Sequence, residues 1–467
     1  MLTPRIRTVN PALGLVSVLM PIGLAAQSAT RPAPRPLGPV VATSVGAVSS
    51  ANAVRALPGG RLLVNDMAGR QVVMFDSTLA AQKIVADTTA ATGNAYAGRF
   101  GGLVPYRGDS TLFVDPQSLA MLVIDPSGGL GRTMSVPNTQ EAAFIAGAQN
   151  PSGFDPQGRI IYRGMNLPRF GARGPGMPQP GQPFQIPPMP DTAPVQRISL
   201  ATRVIDTVGF FKIPRPSMQV TQTEGRVMMT SKVNPIPLVD DWAPLPNGDV
   251  AIVRGQDYHV DFLRADGTVT RGPKIPFTWR RLTDDEKVAF LDSVKAARAR
   301  MPVPPPGQAP QVMAFSGPGG SGAMPAMPAM PPGGGGGPTM VFIGGPGGAG
   351  GPGGPPAGEG QRVSGGPQLA PPQVTFVEPS ELPDYLPPFA ANSTRADPQG
   401  RLWIRLSLPT PAGTGPLYDV IDNAGQLVDH VQLPAGRTLA GFAADGSVLL
   451  QSRTESGAVR LERVRLR

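Results

Sequence analysis

The chain has 467 residues, with 41 Lys and Arg against 32 Asp and Glu, a net charge of +9, no cysteine and 2 histidines. Lack of cysteine excludes disulfides, thiol nucleophiles, Cys-based metal sites and a lipidated N-terminal Cys. The positive charge is spread without a Lys/Arg block, so nucleic acid is not an expected partner.

In chain order, the N-terminus reads as an export signal. Arg5 and Arg7 form a positive n-region, residues 12–24 are an apolar run, and Ala25, Ala26, Ser28 and Ala29 offer a cleavage site. Residues 1–29 are therefore expected to be removed from an exported, periplasmic or secreted protein. Pro21 interrupts the apolar run and the run is short for a membrane span, so no transmembrane anchor is expected after cleavage. Residues 30–38, rich in Pro, read as a stiff spacer outside the fold.

From there one unit recurs. A turn glycine precedes an apolar strand at Gly60 (PGGRLLV), Gly108 (RGDSTLFV), Gly158 (PQGRIIY), Gly248 (PNGDVAIV), Gly400 (PQGRLWI) and Gly446 (DGSVLL). Three of the intervals are about 50 residues and two are longer, which is the pattern of a repeat array with insertions. A second strand ending at a turn follows each, as in residues 71–75 before Asp76 and residues 121–124 before Asp125. Residues 240–272 hold one whole unit of four short strands. Six such four-stranded sheets arranged radially bury a continuous core and leave few edges. The expected fold is all-β: a six-bladed β-propeller, blades near 50–87, 98–137, 147–213, 240–277, 389–434 and 438–466. The last unit stops one strand short, and the β-branched run in residues 39–48 has no other partner, so it is expected to close the last blade.

Insertions fall on one side. Residues 164–193 lengthen a second-to-third loop, while residues 214–239 and 278–388 lengthen connections between blades; in an up-and-down sheet these emerge together. Within the largest, Thr283 and Glu286 form a capping-box pattern for a short helix ending near Arg300, giving a helical insertion over 278–301. Residues 302–372 are almost only Gly, Pro, Ala and Met and are expected to be disordered, so that deleting them leaves the fold intact.

The turn glycine, apolar strand, Asp or Asn, and then a V-x-x-F/I-D strand together resemble the NHL-like and TolB-like six-bladed propellers of exported bacterial proteins. That superfamily includes lactonases, lyases and plain binding modules, so the resemblance implies a fold and leaves activity open. Its enzymes imply a divalent metal, such as calcium, held by acidic, Asn or His ligands at the channel mouth; Asn65, Asp66, Asp115, Asp257 and His259 stand at the corresponding strand ends. No Glu stands near the start of the first unit where lactonase-like relatives have one. These residues equally suit turn capping, and His259 and His430 fall in different blades. The expectation is accordingly a monomeric, cofactor-free, non-enzymatic binding or scaffold module for a peptide, glycan or protein, with a metal-dependent hydrolase or lyase as the alternative. Its ligand-binding candidates on the elaborated side are Tyr96, Arg99, Phe100, Asp241, Trp242, Trp279 and Arg280, aromatic and Arg residues being the usual anchors; Trp242 suits the core equally well.

Overall fold

The computed structural model describes residues 31–165, 190–215, 217–223, 226–300, 368–369, 373–408 and 413–466. The expected signal peptide therefore lies outside the described residues, as do most of the 164–193 loop and most of the 302–372 insertion.

Six sheets of up-and-down antiparallel strands surround one axis, each running in chain order from the axis outward. In the first blade the order is Ala53–Ala56, Leu62–Asp66, Gln71–Phe75 and Gln82–Ala86. The innermost strands of the other five are Gly102–Pro105, Gly153–Phe154, Asp241–Pro244, Thr394–Ala396 and Arg437–Phe442. Closure occurs as the sequence implies. Val40–Thr43 pairs antiparallel with Val459–Val464 and completes the sixth blade.

The strands next to the innermost ones explain why the ring is stable without disulfides. Successive side chains of a strand point to opposite faces, so Leu62 and Val64 enter a cluster shared with the sixth blade, while Leu63 enters one shared with the second. Both faces are buried, which is why these strands read as continuous apolar runs rather than as alternating ones. Each neighbouring pair of blades shares such a cluster, the pair formed by the sixth and first included. The short turns between first and second strands need left-handed backbone, and glycine supplies it: Gly158 and Gly400 have φ of 84° and 80°. Both sit in an Asp-Pro-Gln-Gly-Arg turn. The Asp side chain accepts from the Arg backbone N at 2.9 Å and from its Nε at 2.7 Å in each.

Three features differ from expectation. Residues 217–233, expected to be loop, form a hairpin of Ser217–Thr223 with Arg226–Val233, and Gln368–Leu369 and Gln373–Phe376 add to it in parallel as a seventh sheet. Gln368–Leu369 belongs to the stretch expected to be disordered, so a deletion that spares the fold must stop before Gln368. Excision of residues 302–366 should shift Tm by no more than about 2 °C, because loop length enters closure entropy only logarithmically; a larger loss on thermal melting would show that this stretch supports the insertion. Second, residues 30–38 are not a free spacer, because Arg35–Pro36 pairs in parallel with Val431 and Gln432 on the outer edge of the fifth blade. Third, helices α1 (Ala142–Ile145) and α2 (Asp284–Ala299) are both present where one was expected.

Helix α2 carries the capping box foreseen in the sequence: Thr283 Oγ1 accepts from Glu286 N at 3.3 Å and Glu286 Oε2 from Thr283 N at 2.9 Å. Its Leu291 packs with Ile236, Leu282, Leu382 and Leu386. Lys287 Nζ reaches Asp384 Oδ1 at 2.7 Å, tying the helix to the chain that returns toward the fifth blade. No described helix is long and apolar enough to cross a membrane.

Candidate functional site

The starts of innermost strands and the ends of second strands lie at the same end of the ring, the end that carries the insertions. Among the described residues, one polar cluster there draws on three blades. Asp241 opens the innermost strand of the fourth blade, Thr394 and Arg395 open that of the fifth, Asn150 precedes that of the third, and Arg163 ends the second strand of the third.

Asp241 is 1% exposed. Its Oδ1 accepts from Asn150 Nδ2 at 2.9 Å and its Oδ2 from the Thr394 backbone N at 2.8 Å. Burial raises its pKa and outweighs the opposing effect of those hydrogen bonds and of the Arg395 charge. Arg395, half-buried, donates to the Asn392 and Thr394 carbonyls, and burial lowers its pKa against the pull of Asp241. Arg163 is also half-buried. Its guanidinium lies over two rings, 5.5 Å from the centroid of Phe144 on α1 and 5.7 Å from that of Phe211. The Nε has no hydrogen-bond partner, and no carboxylate makes an ion pair with Arg163 among the described residues. Burial lowers its pKa to about 10, with Asp241 opposing. Chemically the arrangement presents a cation held against two aromatic faces beside a carboxyl whose pKa burial raises.

Of the expected ligand contacts, the structure brings only Asp241 to this cluster. Tyr96 is fully buried; its ring is 4.8 Å from that of Phe113 and its OH donates to Asn65 Oδ1 at 3.0 Å. Burial raises its pKa, with the charges of Asp115 and Asp66 adding to the shift. Trp242 is fully buried among Phe211, Val250 and Ile252. Phe100 is partly buried against the cluster between second and third blades. Arg99 and Trp279 are exposed, Trp279 meeting the Phe277 ring edge-to-face at 5.2 Å. Arg280 bonds Glu286 at the start of α2. Tyr96 and Trp242 are thus not exposed anchors: an aromatic residue near a strand start is covered when the neighbouring blade packs on it.

The residues considered as metal ligands do not converge. Asn65 Nδ2 donates to the Gly101 carbonyl at 2.7 Å, and its Oδ1 is held by Tyr96. Asp66 accepts from the backbone N of Ser49, Ser50 and Gly69 and from Gln71 Nε2. Asp115 accepts from Gly98 N and Gln117 N. In the fourth blade Asp257 lies 2.7 Å from His259 Nδ1, and His259 Nε2 is 3.2 Å from Asp261 Oδ1. Asp261 itself is engaged by Arg254 at 2.8 Å. Among the described residues no group of three or more His, Cys, Asp or Glu has a metal-holding arrangement. Asp66 and Asp115 spend their oxygens on backbone amides, and Asp66 also on Gln71 Nε2; Asn65 Oδ1 is taken by Tyr96 and Asp257 faces His259, so these residues do not form a shared calcium-type site.

Sequence reasoning missed Asn150, Arg163, Thr394 and Arg395. A signal existed only for Arg163, a charged residue closing the apolar run RIIY.

No protein-family model matches the chain, and no curated protein matches it. Solved structures similar to it include a gluconolactonase from Xanthomonas campestris (12% identity over 92% of this chain and 99% of that one, TM-score 0.36). Others are the calcium-binding protein regucalcin from Agrobacterium tumefaciens (10%, 93% and 97%, TM-score 0.38) and a streptogramin B lyase (8%, 91% and 96%, TM-score 0.34). The expectation of a non-enzymatic binding or scaffold module is corrected here. Two of the aromatic anchors on which that expectation rested, Tyr96 and Trp242, are sealed in the core. At these identities and TM-scores the likeness concerns architecture alone: the chain is a six-bladed β-propeller, in keeping with the NHL-like and TolB-like resemblance of its repeats.

Proposed function

We propose that the chain is a hydrolase or lyase whose reaction centre lies at the insertion-bearing end of the ring, where Arg163 meets anionic oxygen. The observation that carries this reading is Arg163 itself, half-buried with an unpartnered Nε. A buried donor left without an acceptor costs about 1–3 kcal/mol. A substrate that carries or develops negative charge would remove that cost. Opening a lactone or cleaving an ester places charge on oxygen in the transition state, and a preorganised donor in a water-poor site stabilises it. Asp241 makes no ion pair with the guanidinium among the described residues, and Asn150 and the Thr394 backbone N hold its two oxygens in place. The names of the similar structures supply only the reactions to try first, lactone hydrolysis and lyase-type cleavage.

The test is turnover of a panel of lactones and cyclic esters by the purified protein. Arg163→Met should lower kcat by about 10²-fold or more, with Tm unchanged or raised. Asp241→Asn keeps the shape without the charge and should retain most of the rate. Because the acidic candidates already have partners, activity should persist in excess chelator. Turnover by Arg163→Met at the parent rate would remove the proposal, and loss of turnover in chelator would restore the metal-dependent alternative.

A further inference from the structure

The six residues Arg31-Pro-Ala-Pro-Arg-Pro36 carry two arginines, and each enters a carboxylate of the fifth blade. Arg35 Nε lies 2.7 and 2.8 Å from the two Oδ atoms of Asp429. Arg31 goes deeper. Its Nη1 donates to the Pro276 carbonyl at 2.8 Å, its Nη2 meets Asp419 Oδ1, and its Cζ lies 5.7 Å from the centre of the Phe277 ring. The socket is built from buried groups: Asp419 and Tyr258 are fully buried and His430 is 2% exposed. Tyr258 OH donates to Asp419 Oδ2 at 2.7 Å, and His430 Nδ1 lies 2.7 Å from Asp419 Oδ1 and 3.0 Å from Arg31 Nη2. Tyr258 comes from the fourth blade, Pro276 and Phe277 from the connection after it, and Asp419 and His430 from the third and fourth strands of the fifth.

Nothing in the reaction centre proposed above uses these groups. A sealed carboxylate needs a counter-charge, and the alternatives here are few. His430 Nδ1 can donate to Asp419 or accept from Arg31, but one nitrogen cannot do both. A compact ammonium offers its donors from a single nitrogen and has no planar face to set against the Phe277 ring. A planar cation with several donors can reach the carboxylate and the Pro276 carbonyl at once while its face lies near an aromatic ring, which is the geometry of guanidinium.

We propose that this socket is a guanidinium-binding site, its ligand class being the planar cation of an arginine side chain, and that the folded chain fills it with its own Arg31. Filling it supplies the counter-charge for Asp419 and pins the stretch just ahead of the closing strand. Residues 31–36 then clasp the fifth blade while Val40–Thr43 completes the sixth.

Chemical rescue in the full chain tests this. Arg31→Ala should lower Tm by about 3–5 °C, the shift expected from losing one partner of a buried charge pair in a chain of this size. Added ethylguanidinium should recover at least half of that loss, saturably, whereas ethylammonium at equal concentration should not; neither should raise the Tm of the parent protein. Arg31→Lys should fall below the parent, and it carries the same comparison if Arg31→Ala does not fold. Three outcomes would overturn the assignment: Arg31→Ala melting like the parent, equal rescue by both cations, or a guanidinium effect of the same size on the parent.

Discussion

Deleting residues 39–48 is expected to abolish cooperative folding. Val40–Thr43 is the outer strand of the sixth blade, and its removal bares the whole edge of Val459–Val464. Further bonds around that strand disappear with it. Ser44 N donates to the Leu461 carbonyl at 2.8 Å, Ser44 Oγ accepts from Leu461 N at 3.1 Å, and Val48 and Val459 exchange backbone bonds at 2.9 and 2.7 Å. Val48 also belongs to the cluster between sixth and first blades, packed with Leu449, Leu461 and Leu62. An uncovered strand edge pairs with other chains, so the deleted protein should elute as oligomer or aggregate and melt without a sharp transition. A monomer with the parent Tm would show that the ring is closed by other means.

Replacing Asp66 should separate the structural account of the acidic candidates from the metal-ligand account. Its buried carboxylate accepts from Ser49 N at 2.9 Å, Ser50 N at 2.8 Å, Gly69 N at 2.9 Å and Gln71 Nε2 at 2.9 Å. It thereby holds the start of the first blade to the turn after the second strand. Asp66→Ala leaves these donors without an acceptor, and a loss of about 3–5 kcal/mol is expected in denaturant melts. The parent protein should show the matching pH dependence. Burial alone would raise the Asp66 pKa, but the hydrogen bonds from Gln71, Gly69, Ser49 and Ser50 together bring it below 3.8. For a depressed carboxylate the stabilising contribution is complete above the unfolded value and disappears as pH falls through the lower folded one. Asp66→Ala should therefore lose less stability than the parent on acidification below about pH 4. Activity per folded molecule should be unchanged. A variant of parent stability that had lost activity together with a bound metal would reverse the interpretation.

The two histidines show how similar residues take different roles by position. His259 sits between Asp257 and Asp261 within one sheet, in a network that continues through Arg254 to Asp240. His430 sits across a blade boundary from Tyr258 and receives Arg31 beside Asp419. Both are close to carboxylates, and neither belongs to the Arg163 cluster. A histidine beside an aspartate is a common catalytic pairing, yet Asp261 and Asp419 are already taken by arginines, which makes counter-charge the better account of both.

What can be read along the chain is what local chemistry controls. A turn glycine before a doubly buried strand is legible because the left-handed turn and the continuous apolar run are both properties of adjacent residues, as in Asp155-Pro-Gln-Gly158-Arg159 and its repeat at Asp397. Ring closure was legible for a similar reason: one unit lacked a strand and one β-branched run lacked a unit. The Thr283–Glu286 cap needed only three residues' spacing. Everything else waited on how the blades pack. Asn150 and Asp241 are 91 positions apart and Asp241 and Thr394 are 153 apart, and no local pattern announces that blade packing brings them together beside Arg163. Residues 31–36 look like a spacer because Pro-rich sequence favours extended backbone; that this backbone docks depends on Asp419 and Asp429, 388 and 394 positions away. Tyr96 and Trp242 read as anchors because an aromatic residue near a loop has no intrinsic exposure. Whether it meets solvent or core is settled by the next blade.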